Sequence, residues 1–355
     1  MTVVSIVGAR PQFIKAAPLL RAIARRHHSV LVHTGQHYDD AMSDVFFREL
    51  DLPRPDVHLG VGSALHGAQT GAMMIGLERP LVDARPDWVV VYGDTNSTLA
   101  GALVAAKLTM KLAHVEAGLR SFNRAMPEEI NRIAADHLAD VLFCPSDAAV
   151  ANLEAEGRTR GVHRSADTMI EALRDVESLA RRESTVLDRL GLRDKQFVLA
   201  TVHRAENTDD PRRLHAILSA LAHAGEPVVF PVHPRTRAAL GAAAPDGVAI
   251  DGVHLVEPVG YLDMVRLESA ARLIVTDSGG VQKEAYWLGV PCVTVREETE
   301  WVETVEAGWN CLAGAETDRI LAAIRGFRPS SPRPPLYAAG CSADDMVRVL
   351  DGPAS

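Results

Sequence analysis

Cysteine is scarce in this chain of 355 residues, and Cys144, Cys292, Cys311 and Cys341 form no C-x-x-C pair. That excludes a cysteine zinc site or a disulfide framework, and a reducing cytoplasm is the expected setting. Lysine occurs only at Lys15, Lys107, Lys111, Lys195 and Lys283, so arginine carries most of the positive charge. There is no basic surplus: the formal net charge is −9, which argues against a nucleic-acid or anionic-membrane partner. No apolar run approaches the roughly 18 residues of a membrane span. The opening Met1–Gly8 has no basic leader before its apolar stretch and reads as a first buried strand. That strand is not followed by G-x-G-x-x-G, so a dinucleotide cofactor has no support.

What is present is the balance of a soluble globular protein, with 47% hydrophobic and 23% charged residues and a length suited to two domains. Short β-branched runs alternate with longer Ala/Leu-rich amphipathic stretches, the pattern of parallel sheets covered by helices. Strands are expected at 2–7, 29–34, 88–92, 113–116 and 141–144, then at 197–202, 228–232, 253–256, 273–276 and 292–295. A charged helical stretch, 171–193, links the two sets. The expected fold class is therefore α/β, with two Rossmann-like doubly wound domains facing a cleft. The first spans 1–168 and the second 169–341, and a C-terminal helix at about 342–355 packs back on the first.

In such sheets ligands bind beyond the carboxyl ends of the strands. The first strand runs into Gly8-Ala9-Arg10-Pro11, and Arg10 and Lys15 place two cations at a helix start whose amides favour anions. Asp94, after 88–92, either caps the next helix or offers a carboxylate to the cleft. Glu116 ends the next strand, where a buried glutamate is expensive unless paired or useful; Arg120 is its obvious structural partner. Glu128 lies in the first turn of a helix opened by Pro127 and is spaced to pair with Arg132. His203, beside Arg204, is placed to hold a phosphate or move a proton. The strongest segment is Thr276-Asp277-Ser278-Gly279-Gly280, where a small-residue turn presents free amides to a diphosphate. Glu284, one turn further on, is placed to accept hydrogen bonds from ribose hydroxyls.

Taken in order, these segments resemble the non-hydrolysing UDP-N-acetylglucosamine 2-epimerase family. The matching stretches include Gly8–Pro11 with Lys15, Thr34–His37, Gly93–Thr95, His114–Arg120, Pro127–Glu129 with Asn131 and Arg132, His203–Arg204, Pro231–Pro234 and Thr276–Gly280. The resemblance implies a GT-B-like fold, a homodimer, and reversible interconversion of UDP-N-acetylglucosamine and UDP-N-acetylmannosamine without cofactor or metal. It places the catalytic acids and bases on Asp94, Glu116 and Glu128, with His203 beside the diphosphate. Arg10, Lys15, Ser278, Gly279, Gly280 and Glu284 take the UDP-binding positions. The chain departs from the pattern at Trp301-Val302, where many members carry arginine and proline, so a binding cation is expected to be missing there. The rival functions are a GT-B glycosyltransferase that uses a UDP-sugar, and a hydrolysing epimerase that releases UDP.

Overall fold

The computed structural model describes residues 1–36, 53–243, 250–336 and 342–352, without the side chains of Arg10, Pro11, Ala242 and Ala243. Two compact units emerge. The first comprises Met1–Ala172 with Pro335–Ser355, the second Leu173–Pro334. The division falls inside one continuous helix, Thr168–Glu183.

In the first unit the strands are β1 (Thr2–Val7), β2 (His28–His33), β3 (Val57–His58), β4 (Trp88–Tyr92), β5 (Leu112–Val115), β6 (Val141–Cys144) and β7 (Val162–Arg164). All pair in parallel, in the order β3-β2-β1-β4-β5-β6-β7. The second unit has β8 (Val198–Thr201), β9 (Val228–Pro231), β10 (Val253–Val256), β11 (Leu273–Thr276), β12 (Cys292–Thr294) and β13 (Asn310–Leu312). They too are parallel, in the order β10-β9-β8-β11-β12-β13. Both sheets belong to the α/β class. Parallel strands are buried on both faces, which is why β4 reads Trp-Val-Val-Val-Tyr without polar alternation and is buried throughout.

Three strands were not anticipated: β3, β7 and β13. Each is two or three residues long and lies at a sheet edge, and none carries a β-branched run to betray it. Several other boundaries move by one residue, as at β2 and β5.

The strand order reverses between β1 and β4 in the first sheet, and between β8 and β11 in the second. Those are the switch points at which an open α/β sheet leaves a crevice for ligands. At the first of them glycine is obligatory at position 8. A Cβ there would lie 2.0 Å from Thr34 Oγ1 and 2.2 Å from Ser97 Oγ. The terminal helix, Ala343–Asp351, completes the first unit: Met346, Val347 and Leu350 are buried, and the Trp88 indole donates to the Leu350 carbonyl at 3.0 Å.

Candidate active site

The turn after β1 is tied to β4 by a side chain that sequence reasoning passed over. Gln12 is buried; its carbonyl oxygen accepts from the amides of Gly8 (2.8 Å) and Ala9 (3.0 Å). Its amide nitrogen donates to the Tyr92 carbonyl at 2.7 Å and to Thr98 Oγ1 at 3.0 Å. The same helix carries Lys15 three residues on, and Lys15 forms an ion pair with Glu116, which directly follows β5. Val115 pairs with Tyr92 in register, so Glu116 emerges beside Gly93. Burial alone would push the Lys15 ammonium down, but Glu116 and then Asp94 outweigh it and hold the group above its ordinary value. Glu116 has a left-handed backbone, φ +70°, which costs a non-glycine residue about 1–2 kcal/mol. Strain of that kind persists where the surroundings fix a side chain for a purpose.

Asp94 is reached by Arg132, whose second arm donates to Glu129 at 2.8 Å. The helix after β4 has Thr95 as its N-cap, so Asp94 is not the cap. Asn131 donates to the Asp94 carbonyl at 3.0 Å and fixes the turn from the other side. Two expected pairings are corrected. Glu128 does not pair with Arg132, because that arginine is taken by Asp94 and Glu129. Glu116 does not pair with Arg120, which lies deeper and donates to Asp136 and Glu156, each at 2.7 Å. Glu128 itself is exposed on the first helical turn and has no ion-pair partner among the described residues.

Glu129, its neighbour, is buried and accepts from the Ser121 amide (2.9 Å), the Ser121 hydroxyl (3.0 Å) and the Phe122 amide (3.0 Å). Burial would raise its pKa, but these donors and Arg132 hold it below its ordinary 4.5. A carboxylate lowered in this way stabilises the fold above the unfolded value, and that contribution is lost as pH falls through the folded one. Urea midpoints measured between about pH 3 and 6 should therefore fall less steeply on acidification in Glu129→Gln than in wild type. Equal slopes would contradict the assignment.

Beneath both turns lies a fully buried network. The His114 ring spans the Gly93 carbonyl and the Asp136 carboxylate, each at 2.7 Å. The other oxygen of Asp136 accepts from the Gly118 amide at 3.1 Å and from Arg120. Asp136 thus underpins the segments that carry Asp94 and Glu116. In the sequence it is merely one acidic residue on an amphipathic helix.

In the second unit, Thr201 of β8 and Thr276 of β11 are in register. His203 and Asp277 therefore emerge side by side. Asp277 is buried and accepts from the His203 amide (3.0 Å), the Arg204 amide (3.0 Å) and Asn207 Nδ2 (3.0 Å), which anchors the His-Arg turn. The His203 ring is 37% exposed and lies 5.3 Å from the ring of His233. Burial holds its pKa below the ordinary value despite Asp277, so the neutral imidazole, able to give or take a proton, is favoured near neutrality.

Ser278 caps the helix Gly279–Leu288, whose first turn is Gly279 and Gly280, an arrangement suited to an anion. A Cβ on Gly279 would lie 2.1 Å from Glu300 Oε1, so the carboxylate and the glycine backbone approach as no larger residue would allow. Arg296 reaches Glu300 at 2.8 Å, and Arg204 comes within 3.6 Å of it. At Trp301, where a cation was expected to be missing, the buried Lys283 ammonium stands 4.1 Å from the ring centroid. Glu284 is nearly buried and accepts from the Tyr261 hydroxyl at 2.8 Å.

The structure thus brings Lys15, Asp94 and Glu116 together in the first unit, with Glu128 on the adjoining helix. In the second it groups His203, Ser278, Gly279, Gly280 and Glu284 around one switch point. The Arg10 side chain and His37 lie outside the described residues. Among the described residues no group of three or more His, Cys, Asp or Glu is arranged to hold a metal ion, and no helix is long and apolar enough to cross a membrane.

Residues 21–351 match the family described as UDP-N-acetylglucosamine 2-epimerase. The chain belongs to that family. It is 50% identical, over 99% of both chains, to a UDP-N-acetylglucosamine 2-epimerase homolog from Methanococcus maripaludis. It is 47% identical, over 92% of both chains, to the UDP-2,3-diacetamido-2,3-dideoxy-D-glucuronate 2-epimerase of Pseudomonas aeruginosa. A crystal structure of the Methanocaldococcus jannaschii UDP-GlcNAc 2-epimerase with UDP-GlcNAc and UDP superposes with a TM-score of 0.89, at 40% identity and 99% coverage of both chains. Within the family, the two switch points are the natural places to seek the epimerase machinery.

Proposed function

We propose that this protein interconverts UDP-N-acetylglucosamine and UDP-N-acetylmannosamine without net hydrolysis, by eliminating UDP and adding it back. The observation that supports this most directly is the Lys15–Glu116 and Arg132–Asp94 cluster, in which two carboxylates, each met by its own cation, flank the first switch point. The C2 proton of the sugar is not adjacent to a carbonyl, so its loss must be coupled to departure of the anomeric diphosphate. A base takes that proton, the C2–H electrons form the C1–C2 double bond of 2-acetamidoglucal, and the C1–O electron pair leaves with UDP. Return of a proton to the opposite face of C2 lets the diphosphate oxygen attack C1.

Asp94, Glu116 and Glu128 handle protons in this scheme, which needs a donor and an acceptor on opposite faces. His203, with the helix start at Ser278, Gly279 and Gly280, steadies the diphosphate, and Arg10 assists. Glu284 receives the ribose. A second reading concerns the sugar. The 47%-identical Pseudomonas aeruginosa relative acts on a 2,3-diacetamido glucuronate, and the same elimination would serve such a substrate.

Incubation with each nucleotide sugar, followed by NMR, tests both. The expected result is an equilibrium mixture of C2 epimers with no accumulation of free UDP. The ratio of kcat/KM for the two sugars decides the substrate. Stoichiometric release of UDP would overturn the non-hydrolysing mechanism.

A further inference from the structure

Glu268 belongs to no segment discussed so far. It sits in the interior of the helix Tyr261–Ala270, 0% exposed, packed against the helix Gly279–Leu288 that carries Glu284. No donor among the described residues reaches either of its oxygens, and no cation is paired with it. The groups that bear on it are Glu284 from the neighbouring helix and the Cys292 thiol of β12, itself pushed up to about 12 by burial. From its own helix comes Tyr261, whose hydroxyl is engaged by Glu284 at 2.8 Å.

A fully buried carboxyl group beside a second one, with no donor and no cation at its own oxygens among the described residues, does not stay ionised. An ionised Glu268 would only accept, and nothing donates to it. As an acid it has one donor, and the acceptor beside it is Glu284. We propose that Glu268 is a positioning residue for nucleotide binding: it donates its carboxyl proton to Glu284 and, with Tyr261, fixes that carboxylate for the ribose diol. This rests on the reading of Glu284 as the ribose acceptor and adds the device that orients it. Burial and then Glu284 hold Glu268 well above the ordinary carboxylate range, which favours its protonated form.

The consequence is a preference for ribose over deoxyribose that depends on a residue outside the ligand's reach. Calorimetric titration of the full chain with UDP and with 2′-deoxyuridine diphosphate reads it directly. Wild type should favour UDP by about tenfold, the worth of one charge-assisted hydrogen bond. Glu268→Gln keeps a donor and should retain both affinity and preference. Its UDP affinity should also lack the decline that wild type shows as pH rises and the pair begins to repel. Glu268→Leu removes the donor and should lose most of the preference, with UDP weakened by about tenfold and the deoxy compound little changed. Should Glu268→Leu not fold, the pH profile of Glu268→Gln decides: flat supports the proposal, and a wild-type slope overturns it.

Wild-type affinity and preference in Glu268→Leu, or their loss in Glu268→Gln, would also overturn it. None of these readings requires turnover, so failure of the epimerase assay is seen separately. A wild type without ribose preference removes the assigned role of Glu284, and this proposal with it.

Discussion

Glu116→Gln is expected to turn over about a thousandfold more slowly than wild type, the usual scale for loss of a positioned acid or base. It should also be less stable. Lys15 and Glu116 form a nearly buried ion pair, and removing one partner of such a pair costs about 3–5 kcal/mol because the remaining charge is stranded. Asp94 also bears on Lys15 and remains in the variant, so the cost should fall toward the lower end of that range. The two effects separate in a double-mutant cycle. Adding Lys15→Met to Glu116→Gln removes the stranded ammonium and should restore about 1–3 kcal/mol, read as the urea midpoint. Turnover should not return. If activity recovered along with stability, Glu116 would be a structural partner of Lys15 rather than a proton-handling group.

The second large effect is expected at Asp136. Its carboxylate is fully buried and serves His114, Arg120 and the Gly118 amide together. Asp136→Ala leaves the Arg120 guanidinium with Glu156 and the Leu119 carbonyl, and the His114 ring with the Gly93 carbonyl. The expected loss is about 3–5 kcal/mol, or a fall in Tm of about 10 °C for a unit of this size. Asp136→Asn keeps the shape and should fall between wild type and alanine. Turnover should drop in both variants even well below their Tm, since the Gly93–Asp94 turn loses its anchor. A melting curve unchanged by Asp136→Ala would show that the network contributes little.

How much of this was legible in the sequence differs between sheet and site. Strand runs such as Val89–Val91 and Leu273–Thr276 are rich enough in β-branched residues to declare a buried parallel strand. The residues following them then mark the switch points without coordinates. Edge strands such as Val57–His58 are held by one neighbour only and leave no such trace. Pairing partners were the weakest point. Spacing along a helix suggested Glu128 with Arg132, and proximity in the chain suggested Glu116 with Arg120. The actual partners are remote: Lys15 lies 101 residues from Glu116, and Arg132 lies 38 from Asp94.

Nor does a first helical turn reveal which of two adjacent glutamates turns inward. Successive side chains point about 100° apart, and only packing makes Glu129 the buried one and Glu128 the exposed one. Glu268 was invisible for a related reason. On a helix reading Tyr-Leu-Asp-Met-Val-Arg-Leu-Glu-Ser-Ala, an acidic residue passes for part of the solvated face until the neighbouring helix is seen to cover it.

Elimination and re-addition of UDP would remove the C2 hydrogen from the sugar and replace it from solvent on the other face. Incubating the protein with UDP-N-acetylglucosamine in deuterated water, or with the diacetamido uronate if that proves the better substrate, and following C2 by NMR reads this exchange. The expected epimerised product carries deuterium at C2, and the nucleotide sugar is conserved. Epimerised product that retains its original hydrogen at C2 would contradict this route.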